Sequence, residues 1–125
     1  MTKEAAIYTF WSRFEIPAYD EQSVPTGNIA PNFPYITYQV ATDSFGNSIS
    51  LTGSVWDDST SWVKVNKKVK EISDYIGLGG VMILCDGGAV WIKRGSPFAQ
   101  SMGDPNDDKI KRKYINLTAE FLTAD

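Results

Sequence analysis

The chain has 125 residues, 42% of them hydrophobic, with 12 Lys+Arg against 15 Asp+Glu, one Cys and no His. At that length one domain spanning 1–125 is expected, large enough to bury a core without disulfide or metal support. The missing histidine excludes His-ligated metals, Ser-His-Asp and Cys-His pairs and an imidazole base, and a net charge of −3 argues against a DNA-coating protein.

From the N-terminus, Ala6, Ile7, Phe10, Trp11 and Phe14 fall at helical spacing and predict a helix over roughly Thr2 to Glu15. Thr2 is the expected N-cap, Glu4 puts an anion in the first turn, and Pro17 stops the helix by about Ile16. Pro17 to Pro34 then holds four of the six prolines with Gly27, Asn28 and Asn32, and reads as a long extended loop. Two strands follow. In Tyr35 to Thr42, Ile36, Tyr38 and Val40 share one face and Tyr35, Thr37 and Gln39 the other. In Ile49 to Trp56 the faces are Ile49, Leu51, Gly53, Val55 and Ser50, Thr52, Ser54, with turn chemistry between the strands at Asp43 to Asn47. Gly53 in mid-strand signals a bulge or a large side chain lying over it.

Asp57, Asp58 and Ser59 are expected to cap a second helix, on which Trp62, Val65, Val69, Ile72 and Ile76 form one apolar side. Lys67 with Glu71 and Lys70 with Asp74 are i,i+4 pairs, and Gly77 stands where a C-terminal cap belongs. Val81 to Cys85 and Ala89 to Lys93 form a hairpin through Asp86-Gly87-Gly88. Gly95 to Lys109 reads as a second long polar loop, and Lys113 to Leu122 as a last alternating strand. The expected fold is therefore α+β, in the order α-β-β-α-β-β-β, with two helices packed on one face of a mainly antiparallel sheet.

No constellation for catalysis emerges, and no metal or cofactor site is expected. Asp57 and Asp58 suit a helix start better than an acid/base pair. Asp104, Asp107 and Asp108 lack the glycine and terminal Glu of an EF-hand loop. Gly77-Leu-Gly-Gly80 follows a helix instead of opening one, so it is not a phosphate cradle. Cys85 sits in an apolar strand as an inert thiol, which fits a reducing compartment. Lys109, Lys111, Arg112 and Lys113 read as a solvated basic stretch. The longest apolar run, Val81 to Cys85, is far too short to span a membrane.

What stands out is an excess of aromatics, four Trp, six Tyr and six Phe, on a small scaffold with two long loops. That is the composition of an interface. The expected contact residues are Pro25, Ile29, Pro31 and Asn32 in the first loop and Phe98, Met102, Asp104, Asp107 and Asp108 in the second. Trp56 and Trp62 are expected to anchor the second helix on the sheet.

The order of elements also resembles a known family. Phe33-Pro-Tyr-Ile-Thr-Tyr38 opens the first strand, Asp43-Ser-Phe-Gly-Asn-Ser48 makes the turn, and Ser54-Val-Trp-Asp57 ends the second. Ser59-Thr-Ser-Trp62, Val69-Lys-Glu-Ile72 and Ile115-Asn-Leu-Thr-Ala-Glu-Phe121 follow in register. This pattern is similar to the tail-terminator or tail-completion proteins of long-tailed bacteriophages and prophages, also called head–tail joining or minor capsid proteins. The resemblance implies a virion subunit, made in the host bacterial cytoplasm, that forms a homo-oligomeric ring, typically a hexamer. Such a ring stops the tail tube, meets the head-completion connector, and lets DNA pass through its lumen without specific binding. It implies no catalytic residue, cofactor or membrane. A head-completion or minor capsid role in the same neck fits the pattern too. The reading from another class is a small ligand- or metal-binding α+β domain using the Asp104 to Asp108 loop, with Asp57 and Asp58.

Overall fold

The computed structural model describes residues 1–26, 31–41, 48–104 and 107–123, and the side chains of 41, 48, 104, 107, 108 and 123 are not part of that description. The turn expected at Asp43 to Asn47 lies outside the described residues, as does Ile29.

The N-terminal helix α1 spans Lys3–Ser12. Thr2 caps it as expected, its Oγ1 accepting from the Ala5 N–H at 3.1 Å. The helix ends earlier than its apolar spacing suggests, because the chain turns out of it at Arg13 and reaches a left-handed conformation at Glu15 (φ 68°). Phe14 is nevertheless buried, so the apolar stripe outlasts the helix.

Six strands make one sheet: β1 (Ala18–Asp20), β2 (Tyr35–Ala41), β3 (Ser48–Asp58), β4 (Val81–Cys85), β5 (Gly88–Asp104) and β6 (Asp107–Thr123). Their spatial order is β1-β2-β3-β6-β5-β4. Two expectations are corrected here. The sheet is mixed, since β1 runs parallel to β2, with the Ile36 N–H donating to the Pro17 carbonyl at 2.8 Å. The order of elements is accordingly α-β-β-β-α-β-β-β, because part of the Pro17 to Pro34 segment is this short strand and a 3-10 turn at Glu21–Ser23. Three residues are too few to display an alternation, which is why the strand leaves no mark on the pattern.

Gly95 to Lys109 is not the long polar loop expected. It is paired strand on both sides of residues 105–106, so β5 and β6 form one long hairpin. The pairing shifts register between Arg94 and Ala99, and that irregularity houses Gly95 and Pro97. A proline inside a sheet needs such a place, since it has no N–H for the ladder.

The second helix, α2, spans Val63–Ile76 and starts later than the Asp57-Asp58 cap implies. Both aspartates belong to β3, paired with Lys111 and Ile110 of β6. Trp62 is the N-cap residue and gives no side-chain cap; the hydroxyls of Ser59 and Ser61 instead accept from the N–H groups of Ser61 and Val63. The expected Lys70–Asp74 pair forms at 2.7 Å, whereas Glu71 takes Lys68 at i,i+3 in place of Lys67. Gly77 closes the helix at φ 69°, its N–H donating to the Ser73 carbonyl at 3.0 Å.

One core joins the helices to the inner sheet face. Ala6, Ile7, Phe10 and Trp11 of α1 and Val65, Val69, Ile72 and Ile76 of α2 pack on Leu51, Val55, Ile92, Ile115 and Leu117. The helices touch through rings, with Phe10 6.0 Å and Phe14 5.8 Å from Tyr75. Because α1 reaches both edge strands, β1 and β4, the sheet curls around it. Trp11 stacks on Tyr38 (6.1 Å, 10°) and lies over Gly53, the large side chain that a mid-strand glycine anticipates. Among the described residues no helix is long and apolar enough to cross a membrane.

Candidate interaction surfaces

The outer face of the sheet, opposite the helices, carries a row of aromatic rings. Strand alternation puts Tyr19, Tyr35, Trp56 and Arg112 there, and the pairings Tyr35↔Trp56 and Trp56↔Arg112 align them across three strands. Tyr35 stacks on Trp56 (6.2 Å, 14°), meets Tyr19 edge-on at 6.3 Å and is joined by Phe33 at 5.2 Å. The guanidinium of Arg112 lies 4.7 Å from the Trp56 ring and 5.5 Å from that of Tyr114. Its Nε donates to the Ser54 hydroxyl at 2.8 Å, and the Trp56 indole N–H to the Thr37 hydroxyl at 2.9 Å. These bonds fix both side chains before any partner arrives. Burial among the rings raises the Tyr35 phenol above its ordinary value of 10.0. Trp, Tyr and Arg held rigid on an open face are the residue types that dominate binding energy at protein interfaces.

Trp56 therefore does not anchor α2. It stands on the opposite face of β3 from Val55, the same alternation that separates Val55 from Ser54. Trp62 does serve α2, packed against the core with the buried Lys111 ammonium 5.6 Å from its ring. The basic stretch is likewise not simply solvated, since Lys111 is buried and Arg112 is half-buried in the aromatic row.

A second surface is an open groove of about 650 Å³ that runs along α2 from Lys64 to Asp74, beside the Glu15–Ile16 segment. Val55, Val65 and Pro34 give it apolar walls, and Lys64 and Lys67 stand at its rim. Asp57, only 5% exposed, is at its base. One carboxylate oxygen accepts from the Asp58 N–H at 2.9 Å, and the other has no hydrogen-bond partner. Lys111 faces Asp57 directly across the strands. Opposite charges so placed support the sheet end. Among the described residues no three His, Cys, Asp or Glu side chains converge to hold a metal ion.

The residues expected at contacts fall into two groups. Pro25, Pro31 and Asn32 precede β2, on the β1 side of the sheet; Pro25 and Pro31 are half-buried and Asn32 is exposed. Phe98, Met102, Asp104, Asp107 and Asp108 belong to the β5–β6 hairpin, and β2 and β3 separate the two groups. Phe98 packs partly on the core, Met102 is exposed opposite Arg112, and Asp104 pairs with Asp107 at the shared end of the two strands. The aromatic row lies between the groups and was not anticipated as a unit. Its only sequence signal is a heavy ring at an outward position of each of two strands, Tyr35 and Trp56.

The class defined by this geometry is an α+β fold with a six-stranded mixed sheet curled around its first helix. No protein-family model matches the chain, and no curated protein matches it in sequence. Among solved structures it is similar to a chain in the virion of a native gene transfer agent particle. The TM-score is 0.62 at 19% identity, over 95% of this chain and 93% of that chain. At that identity the likeness establishes a common fold across nearly the whole of both chains.

Proposed function

We propose that this chain is a structural subunit of a phage-like virion that acts by contact and carries out no chemistry. Within the virion we assign it to the tail-terminator ring: a homo-oligomer, typically of six copies, that ends the tail tube and meets the head-completion connector while DNA passes through. The observation that carries the reading is the end-to-end fold match to a virion chain. The rigid Trp56–Arg112–Tyr35 row supports it, because ring subunits need pre-formed, heterologous contact surfaces. Pro25, Pro31 and Asn32 on one flank of that row and Phe98 and Met102 on the other are the proposed neighbours in the contact.

The test is assembly. Mixed with its cognate tail-tube protein, the chain should give closed rings at tube ends in electron micrographs and arrest tube growth. Arg112→Ala should weaken that capping at least about tenfold while leaving the fold intact. Tubes that keep growing past an unassociated monomer would overturn the reading, as would tight divalent-metal binding abolished by substituting Asp104, Asp107 and Asp108.

A further inference from the structure

β4 is a short edge strand that lacks three of the usual protections. Its residues Val81-Met-Ile-Leu-Cys85 include no charge and no proline, and their pairing with β5 has no bulge. Such an edge is a template for another strand. The two-residue turn at Asp86–Gly87 makes Cys85 and Gly88 exchange main-chain hydrogen bonds, so Ile83 and Val81 face β5 as well. The main-chain groups of Met82, Leu84 and Asp86 therefore point away from the sheet. Just past the strand, in the turn, the Asp86 N–H donates to the Met1 carbonyl at 2.6 Å.

The side chains at this edge are apolar and uncovered. Met82 is 52% and Leu84 76% exposed on the outer face, and Leu122, two strands away across Ala89, is 42% exposed. Leu78, in the turn leading into β4, is 98% exposed. Met82 and Leu84, two residues apart on one face of β4, are the apolar side chains that a strand added at this edge would cover first.

We propose that β4 is the docking edge for a second copy of this chain, paired antiparallel about Ile83 so that Met82 of each copy faces Leu84 of the other. The register follows from the outward main-chain groups. Aligning Met82 with Leu84 places two residues with free donors and acceptors opposite each other, twice over, and each such pair exchanges both its hydrogen bonds. The same alignment sets Met82 beside Leu84 across the strands on the outer face, with no charge buried. The Met1 carbonyl already holds Asp86 and ends the ladder there. A second copy is favoured as occupant because β4 itself supplies both the uncharged strand and the matching apolar side chains. The contact is isologous, unlike the heterologous contacts of a ring, and does not rest on the virion reading.

Mass measurement over a range of concentrations tests it, using the wild-type chain, Leu84→Lys and Met82→Lys, with circular dichroism to verify folding. The wild type should dimerise, and either lysine should weaken the dimer roughly a hundredfold. The amides of Met82 and Leu84 should exchange slowly only where the dimer is populated. A wild-type chain that stays monomeric at its highest soluble concentration overturns the proposal. So does a dimer that survives Leu84→Lys, or one in which those two amides exchange freely. A Leu84→Lys chain that no longer dimerises yet still caps tail tubes supports this edge and the ring reading separately.

Discussion

Gly53 and Trp11 form the tightest fit in the core. A Cβ on residue 53 would lie 2.5 Å from the Trp11 Cη2. The indole cannot retreat, since it is fully buried between that strand and the Tyr38 ring. We expect Gly53→Ala to cost about 1–3 kcal/mol in urea denaturation. Adding Trp11→Phe should recover part of that loss, because the shorter ring vacates the space; a double-mutant cycle reads the coupling. Tyr38 offers a test by pH. Burial, then the charge of Asp20 and the neighbouring Tyr8, raise its phenol above the ordinary 10.0. The folded chain thus keeps a proton that the unfolded chain releases. The contribution is complete below about pH 10 and is lost as pH rises through the raised value. Tyr38→Phe should flatten the alkaline decline in stability, measured as urea midpoints on either side of that pH.

At the scale of elements, α2 starts without a side-chain cap and with Lys64 in its first turn, where the helix dipole disfavours a cation. Lys64→Glu should stabilise the chain by about 0.3–1 kcal/mol, by reversing that term and meeting Lys67 and Lys68 at i+3 and i+4. Thermal denaturation checks it. The same helix shows what could be read from the sequence. Its apolar side, the stripe of α1 and the hairpin at Asp86-Gly87-Gly88 are local patterns, and each is recovered, with Gly88 drawn into β5 and Phe14 left beyond the end of α1. Gly95 and Pro97 misled because their role is not local. A Cβ at Gly95 would lie 2.7 Å from the Asn116 carbonyl, so the glycine permits close approach to β6 at the register shift. Glycine and proline at a bulge and in a loop look alike until the partner strand is known. Asp57 and Asp58 misled for a similar reason. Their partners on β6 lie more than fifty residues further along the chain.

For the whole molecule, the candidate contact surface was legible only in part. Composition pointed to interfaces, but Tyr19, Tyr35, Trp56 and Arg112 come from four strands and meet only through the sheet order. Charge gives a further expectation. With a net −3 and with Arg112 and Lys111 engaged by rings, the chain should not retard duplex DNA in gels at about 0.15 M salt. Marked retardation that weakens steeply with salt would argue against DNA passing freely by this subunit.

The position of β6 has a consequence for how the protein is made. It is the last of the described strands in chain order, yet it lies between β3 and β5 and is the strand through which the two halves of the sheet are hydrogen-bonded. As the polypeptide leaves the ribosome, β1–β3 and the β4–β5 hairpin emerge with nothing to pair them to each other. Cooperative folding must wait for residues 107–123. Nascent chains stalled before Asp107 should therefore remain open to protease, and protection should arrive in one step once Thr123 has cleared the exit tunnel. Until then the bare edge of β4 is at its most exposed, which makes the interval before residues 107–123 emerge the one in which a holdase chaperone would matter most.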